Sequence, residues 1–226
     1  MRNPKRLAPL LAALSFVCVS LVLAACGGGE EDSSASSPTG RPTAAAAASP
    51  TQPANCPPPS GTAPEPDVNK KYASRPAISI DTAKDYNAIV KTVRGDFTMV
   101  LRASQAPETV NSFVFLARDG FFNGAKFHRV VPGFVAQTGD PTGTGSGGPG
   151  YSVPAEFNDI AFERGTVGMA RSQDVNSGGS QWFVTFGNAA HLTGAYTAFG
   201  SVTEGMEVVD CIEQGDAVIS VDISEA

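Results

Sequence analysis

Four polar side chains interrupt stretches that are otherwise apolar and strand-like, and they are the first candidates for chemistry. His128 and Arg129 lie in KFHRVV, Gln137 in GFVAQT and Gln181 in SQWFVT. Arginine is permanently charged and presents several N–H donors in a rigid fork, whereas glutamine both donates and accepts. The set could therefore form the floor of an active site. Alternatively, each residue belongs to the wall of a sheet and turns its polar group to solvent.

Other types of catalytic site find little support. The chain has no GxSxG motif and no Cys/His pair at a plausible site, so no hydrolase nucleophile is visible. It has two histidines and no CxxC motif, so we expect no metal. Gly143, Gly145 and Gly148 match GxGxxG, but Pro149 follows at once and no strand–turn–helix surrounds them, as a dinucleotide site requires. We expect a glycine-rich surface loop and no cofactor.

Three stretches taken together are more specific. FHRVVPGFVAQTGDPTGTGSGGPGY, GTVGMARSQDVNSGGSQWFV and HLTGAYTAFGSVTEGMEVVD resemble, in the same order along the chain, the cyclophilin family of peptidyl-prolyl isomerases. The resemblance runs from about residue 86 to about residue 216. It implies a mainly β fold, a closed eight-stranded antiparallel barrel capped by two α-helices. It also implies an enzyme that accelerates rotation about X–Pro bonds.

The resemblance assigns roles residue by residue. Arg129 and Gln137 match the catalytic arginine and glutamine. The residues expected to bind substrate are Phe134, Val135, Met169, Ala170, Arg171, Gln181, Phe183, Leu192 and Tyr196. Two positions differ from those of many family members. Tyr196 stands where many have a histidine. His191 stands where many have a tryptophan implied in cyclosporin contact, so the resemblance does not extend to tight inhibition by cyclosporin. Trp182 replaces a common Phe, and its side chain should point away from the site into packing.

The implied reaction needs no proton transfer. Resonance gives the peptide C–N bond a rotation barrier of about 18–20 kcal/mol, and twisting the bond localises a lone pair on the prolyl nitrogen. Arg129 could donate to that nitrogen while an apolar pocket holds the pyrrolidine ring. His128 points away from Arg129 by strand alternation and is set aside as a base. The alternative is a protein that does not catalyse isomerisation, either a module that binds proline-containing segments or a chaperone on the cell surface. Binding alone would not explain the presence of Arg129.

The elements that position these residues are mostly short. NAIVKTVRGDFTMVLRAS predicts two strands around an Arg-Gly-Asp turn, and APETVNSFVFLARDG predicts a helix with Pro107 in its first turn and Gly120 at its end. Many short strands with few helices favour a barrel or sandwich. Further strands are predicted at Lys126–Val131, Gly133–Thr138, Gly165–Ala170, Trp182–Thr185 and Tyr196–Val202, and a second helix at Met206–Gln214.

The N-terminal third of the chain has the pattern of an export and attachment segment. Residues 1–25 form a positive start and an apolar run too short for a comfortable membrane span, and LAAC resembles a bacterial lipobox with lipidation at Cys26. Residues 26–80 are rich in Ser, Thr, Pro and Ala and predict a disordered tether. Residues 81–226 would form the isomerase domain. We expect an exported protein, lipid-anchored to the outer face of the cytoplasmic membrane or to the periplasmic side of an outer membrane.

The cysteines and the net charge of the chain indicate its compartment and the kinds of partner it can bind. Cys18 lies in the signal, and in an oxidising compartment Cys56 and Cys211 either pair or remain free thiols. The formal net charge is −6, and no basic stripe is present, so we expect no nucleic-acid partner. The expected partners are proline-containing polypeptides and, through the lipid, a membrane; we expect a monomer.

Overall fold

Eight strands and two α-helices make up the part of the chain that the computed structural model describes, residues 53–226. The mainly β, antiparallel architecture with two helices is confirmed. The strands are β1 (Asp85–Thr92), β2 (Gly95–Arg102), β3 (Arg129–Val131), β4 (Val135–Thr138), β5 (Thr166–Met169), β6 (Trp182–Thr185), β7 (Ala198–Glu204) and β8 (Val218–Glu225). The helices are α1 (Pro107–Arg118) and α2 (Met206–Asp210), and a 3-10 turn covers Ala190–Leu192.

The strands form one curled sheet in the order β3-β4-β6-β5-β7-β2-β1-β8. Its two ends, β3 and β8, are brought together by the short segments that precede them. The backbone N–H of Phe127 donates to Asp216 O (2.8 Å), that of Gly215 to Phe127 O (3.0 Å) and that of Val218 to Ala125 O (2.9 Å). These bonds satisfy edge groups that would otherwise be left unpaired.

The predicted hairpin is confirmed. Thr92 pairs with Gly95, which leaves Val93 and Arg94 as the two turn residues. Arg94 is buried, and its guanidinium bonds Asp216 Oδ2 at 2.7 Å. Arg94 therefore belongs to an internal ion pair and is not displayed on the surface.

Helix α1 begins at Pro107 as predicted, where a missing N–H costs no helical hydrogen bond. Its Val110 and Phe113 are buried in the main core. The carboxylate of Glu156 accepts the next two free backbone N–H groups, those of Glu108 and Thr109 (2.9 and 2.8 Å). In the core Trp182 is fully buried, 5.8 Å between ring centres from Phe113, which confirms its predicted packing role.

Several element boundaries differ from the prediction. Strand β3 begins three residues later than predicted because Lys126 forms only an isolated bridge with Ala217. Helix α2 ends at Asp210, four residues before the predicted end. Strand β8 was not predicted; it pairs along β1 from Tyr86 to Thr92.

Residues 53–80 lie against the barrel, which corrects the expectation of a disordered tether up to residue 80. Cys56 and Cys211 form a disulfide, with Cα atoms 5.3 Å apart. The buried Asn111 of α1 accepts from Ser79 N (2.9 Å) and donates to Ala77 O (3.1 Å). Tyr72 packs edge-on against Phe115, 5.0 Å between ring centres. The signal peptide, Cys26 and the rest of the tether lie outside the described residues.

Within residues 53–226, no helix is both long enough and apolar enough to span a membrane.

Candidate active site

Antiparallel pairing places the predicted catalytic residues side by side. Strands β3 and β4 are joined by a turn at Pro132 and Gly133, whose φ of +72° suits glycine. In the resulting register Arg129 faces Gln137, and Gln137 faces Phe183 of β6. Residues directly opposite in an antiparallel pair project to the same face. The sheet therefore presents the guanidinium, the amide and the aromatic ring together.

A pocket of about 210 Å³ opens at this place. Val135, Phe183 and Leu192 supply buried apolar walls, exposed by only 2%, 5% and 6%. Phe162 stacks behind Phe183, 5.7 Å between ring centres, and fixes that wall. The lining residues are Arg129, Phe134, Val135, Gln137, Ala170, Arg171, Phe183, Leu192 and Tyr196.

Arg129 stands at the rim of the pocket, with its charge available to a ligand. Its Nη1 donates to Gln137 Oε1 at 3.4 Å, and its guanidinium carbon lies 5.7 Å from the ring centre of Phe134. Among residues 53–226 it has no carboxylate within ion-pair distance. The imidazole ring of His191 stacks on the ring of Phe134, with 5.5 Å between the two ring centres.

Two glutamines connect Arg129 to the glycine-rich loop. Gln137 Nε2 donates to Gln181 Oε1 at 2.9 Å. Gln181 Nε2 in turn donates to the carbonyl oxygens of Gly145 and Gly147, both at 2.9 Å. Because an amide has distinct donor and acceptor ends, these two carbonyls orient Gln181, and Gln181 orients Gln137 so that its oxygen faces Arg129.

Asp140, at the start of that loop, holds the same two glycines from the other side. Its fully buried carboxylate accepts Gly145 N (2.7 Å) and Gly147 N (3.0 Å), together with N–H groups of Thr142 and Thr144 (2.8 and 3.1 Å). Burial alone would raise the pKa of Asp140, but hydrogen bonds from Thr142, Gly147 and Gly145 outweigh it and hold the pKa below the ordinary value. The loop is thus organised around a buried anion.

Arg171 and Tyr196 also line the pocket. The guanidinium carbon of Arg171 lies 4.4 Å from the ring centre of Tyr196. Its Nη2 donates to Ala195 O at 3.0 Å. The side chain of Arg171 is therefore held beside Tyr196, and both residues line the site.

Two predicted residues are placed differently. Met169 is not among the lining residues, which corrects the expectation of a pocket methionine: it faces Trp182 across the β5–β6 ladder and shares that residue's core side, away from Phe183. Gln181 does not line this pocket but the larger groove beside it. Asp140 was not anticipated, although a buried strand that ends in Gly-Asp before a glycine-rich loop was a usable signal.

His128 lies beside Arg129 in the sequence, but its side chain makes no hydrogen bond within residues 53–226. His128 is half-buried, and neither of its ring nitrogens has a hydrogen-bond partner among the described residues. Over residues 53–226 there is no group of three or more His, Cys, Asp or Glu side chains that could hold a metal ion.

Comparison with known proteins agrees with this geometry. The family model described as Cyclophilin type peptidyl-prolyl cis-trans isomerase/CLD matches residues 88–225. The chain belongs to the cyclophilin family. A curated relative from Helicobacter pylori, named Peptidyl-prolyl cis-trans isomerase, is 44% identical over 150 residues, which cover 65% of this chain and 91% of the relative.

Solved cyclophilin structures show the same fold. The crystal structure of a cyclophilin type peptidyl-prolyl cis-trans isomerase from Cryptosporidium parvum matches with a TM-score of 0.60 and 28% identity, over 63% of this chain and 99% of that one. A second structure of that protein, in the presence of the dipeptide Ala-Pro, matches with a TM-score of 0.59 and 29% identity, over 62% and 99%. The predicted family, fold and isomerase activity are confirmed.

Proposed function

We propose that this cyclophilin isomerises X–Pro bonds of exported polypeptides, with Arg129 as the hydrogen-bond donor to the prolyl nitrogen. The observation that carries the proposal is the position, at the rim of a small apolar pocket, of a guanidinium with no carboxylate partner within residues 53–226. The Ala-Pro dipeptide in the Cryptosporidium structure supports a proline-containing substrate.

The twisted amide differs from both planar isomers in its nitrogen atom. Planar amide nitrogen is a poor acceptor because its lone pair is delocalised, and rotation localises that pair. A donor that bonds only the twisted form lowers the barrier without stabilising either planar isomer. Arg129 is suited to this because its charge is not neutralised by a carboxylate within residues 53–226, and Gln137 holds one of its N–H groups in place.

The pocket supplies the second requirement, which is to hold the ring while the rest of the chain turns. Val135, Phe183 and Leu192 form an apolar enclosure that matches a pyrrolidine ring in character. Gln137 would also orient the neighbouring carbonyl group of the substrate. No group in this scheme gains or loses a proton.

The decisive variant is Arg129→Ala, assayed for kcat/KM on an Ala-Pro-Phe-type peptide. Loss of one preorganised donor should reduce kcat/KM by about two to three orders of magnitude, with unchanged circular dichroism. Arg118→Ala, which removes an exposed arginine from α1, is the matched control and should retain full activity. Undiminished kcat/KM in Arg129→Ala would refute the assignment.

We further propose that the protein is exported, anchored through a lipid on Cys26 and monomeric. The disulfide between Cys56 and Cys211 supports an oxidising compartment. Labelling cells with an alkyne fatty acid should tag the wild-type chain but not Cys26→Ala, which should appear in the soluble fraction. Equal labelling of both chains would contradict the anchor at this residue.

A further inference from the structure

A groove of about 630 Å³ adjoins the proline pocket. The two cavities share Gln137, Ala170 and Arg171 as lining residues, so they lie side by side. A polypeptide with its proline in the small pocket must place neighbouring residues in or near this groove, since successive Cα atoms are only 3.8 Å apart. The walls of the groove therefore act on residues that flank the isomerised bond.

One wall of the groove is built by the segment that the sequence alone assigned to the tether. Tyr72 N donates to Pro149 O at 2.8 Å, which lays this segment along the glycine-rich loop. The Tyr72 hydroxyl bonds Asp119 Oδ2 at 2.6 Å, and Lys71 Nζ donates to Gly148 O. Lys71 is thereby held at the edge of the groove, which it lines.

The charge of the groove is of one sign. Lys71 and Arg171 are its charged lining residues, and both are cationic. Most lysines and arginines of residues 53–226 pair with a carboxylate, but these two donate only to backbone carbonyls within that range. The whole chain has a formal net charge of −6, so this positive groove stands out on an acidic protein.

We propose that the groove binds a carboxylate side chain of the substrate, on a residue close to the isomerised proline, and that Lys71 is a specificity-determining residue. This inference rests on the proposed function, because it assigns a preference to the same site. A carboxylate can accept from Lys71 and Arg171 while each keeps its bond to a carbonyl. The walls offer no acidic side chain to repel it.

The test compares matched peptides on the whole chain. Peptides carrying Glu or Gln at each of the three positions on either side of one proline are assayed for kcat/KM by exchange NMR at low salt. A partly exposed ion pair should favour Glu over Gln by about three- to tenfold at one or more positions. The ratio should fall as sodium chloride is raised, because salt screens exposed charges.

Variants of Lys71 assign the preference. In Lys71→Met the ratio of kcat/KM for the Glu peptide to that for the Gln peptide should approach the ratio of the wild type at high salt. In Lys71→Glu this ratio should fall below one. Lys70→Met is the matched control, since Lys70 pairs with Asp119 at 2.9 Å and does not line the groove, and its ratio should match wild type.

The outcomes are distinguishable. Equal turnover of Glu and Gln peptides at every position, or a ratio unchanged in both Lys71 variants, overturns the acidic preference and leaves the isomerase assignment intact. Absence of turnover on every peptide overturns the proposed function and this inference with it.

Discussion

Replacing Asp140 by Asn changes one oxygen for an NH₂ group at the centre of the glycine-rich loop. The amide can keep its oxygen at the Oδ2 position, where Thr144, Gly145 and Gly147 donate, only by turning its NH₂ toward Thr142 N. Two donors then face each other. The Thr142 hydroxyl can rotate and accept from the new NH₂, but the backbone N–H cannot.

The cost follows from these bonds. Loss of the Thr142 N–H bond costs about 1 kcal/mol, and the three remaining bonds each lose about 1 kcal/mol when the acceptor is no longer charged. A neutral amide is easier to bury than a carboxylate, which offsets about 1 kcal/mol. The free energy of unfolding at pH 7 should therefore fall by about 3 kcal/mol.

The activity should fall as well, because the loop also positions the glutamines. If Gly145 and Gly147 shift, Gln181 loses the two acceptors that orient its amide. Gln137 then no longer presents its oxygen to Arg129 in a single orientation. We expect kcat/KM to fall about tenfold, equivalent to about 1.4 kcal/mol of transition-state stabilisation.

The assay is urea unfolding followed by circular dichroism, with Asp159→Asn as the same chemical change at an exposed site. That control should change stability by less than about 0.5 kcal/mol. A loss in Asp140→Asn below about 1 kcal/mol, equal to that of the control, would refute the reasoning from the buried carboxylate.

Acid should act on the same group. The folded pKa of Asp140 is held below its ordinary value of 3.8, so the stability it contributes is present above that value and is lost as pH falls through the folded pKa. The free energy of unfolding of the wild type should therefore stay above that of Asp140→Asn until the pH falls below about 4. Unfolding curves of the two proteins at a series of acidic pH values measure this difference.

Two further predictions concern stability. Reduction of the disulfide between Cys56 and Cys211, which are 155 residues apart in the sequence, should lower the free energy of unfolding by up to about 5 kcal/mol on chain-entropy grounds; thermal melts with and without reductant measure it, and identical melting temperatures would contradict it. Arg94→Met should cost about 3–5 kcal/mol because it leaves the buried Asp216 without its cation. Urea unfolding tests this, and adding Asp216→Asn to Arg94→Met should recover part of the loss.

Local patterns predicted much of the fold and the centre of the site. The β1–β2 hairpin and α1 were predicted because turn residues, an N-terminal proline and apolar periodicity lie within a few residues of one another. Gln137 and Val135 are two residues apart in one strand, so alternation puts them on one face, and both line the pocket. These features depend only on neighbours in the chain.

Features that depend on distant partners were not predicted. Strand β8 pairs with β1, whose residues lie far earlier in the chain, and its irregular burial gives a weak alternation signal. The resemblance assigned Met169 to the pocket. Only the β5–β6 register shows that it faces Trp182 and not Phe183. The composition of residues 53–80 is typical of a disordered segment. They are held by a few contacts with distant parts of the chain, such as those of Tyr72, which composition does not reveal.

The disulfide also decides how the barrel bears mechanical load. When the chain is pulled between residue 53 and its last strand, the covalent path runs from Cys56 through the disulfide to Cys211, so residues 57–210 lie in a closed loop outside that path. The sheet cannot then be peeled from its first strand, and the force enters just after α2. A force applied in this way therefore bypasses Arg129 and its pocket, which lie within that loop.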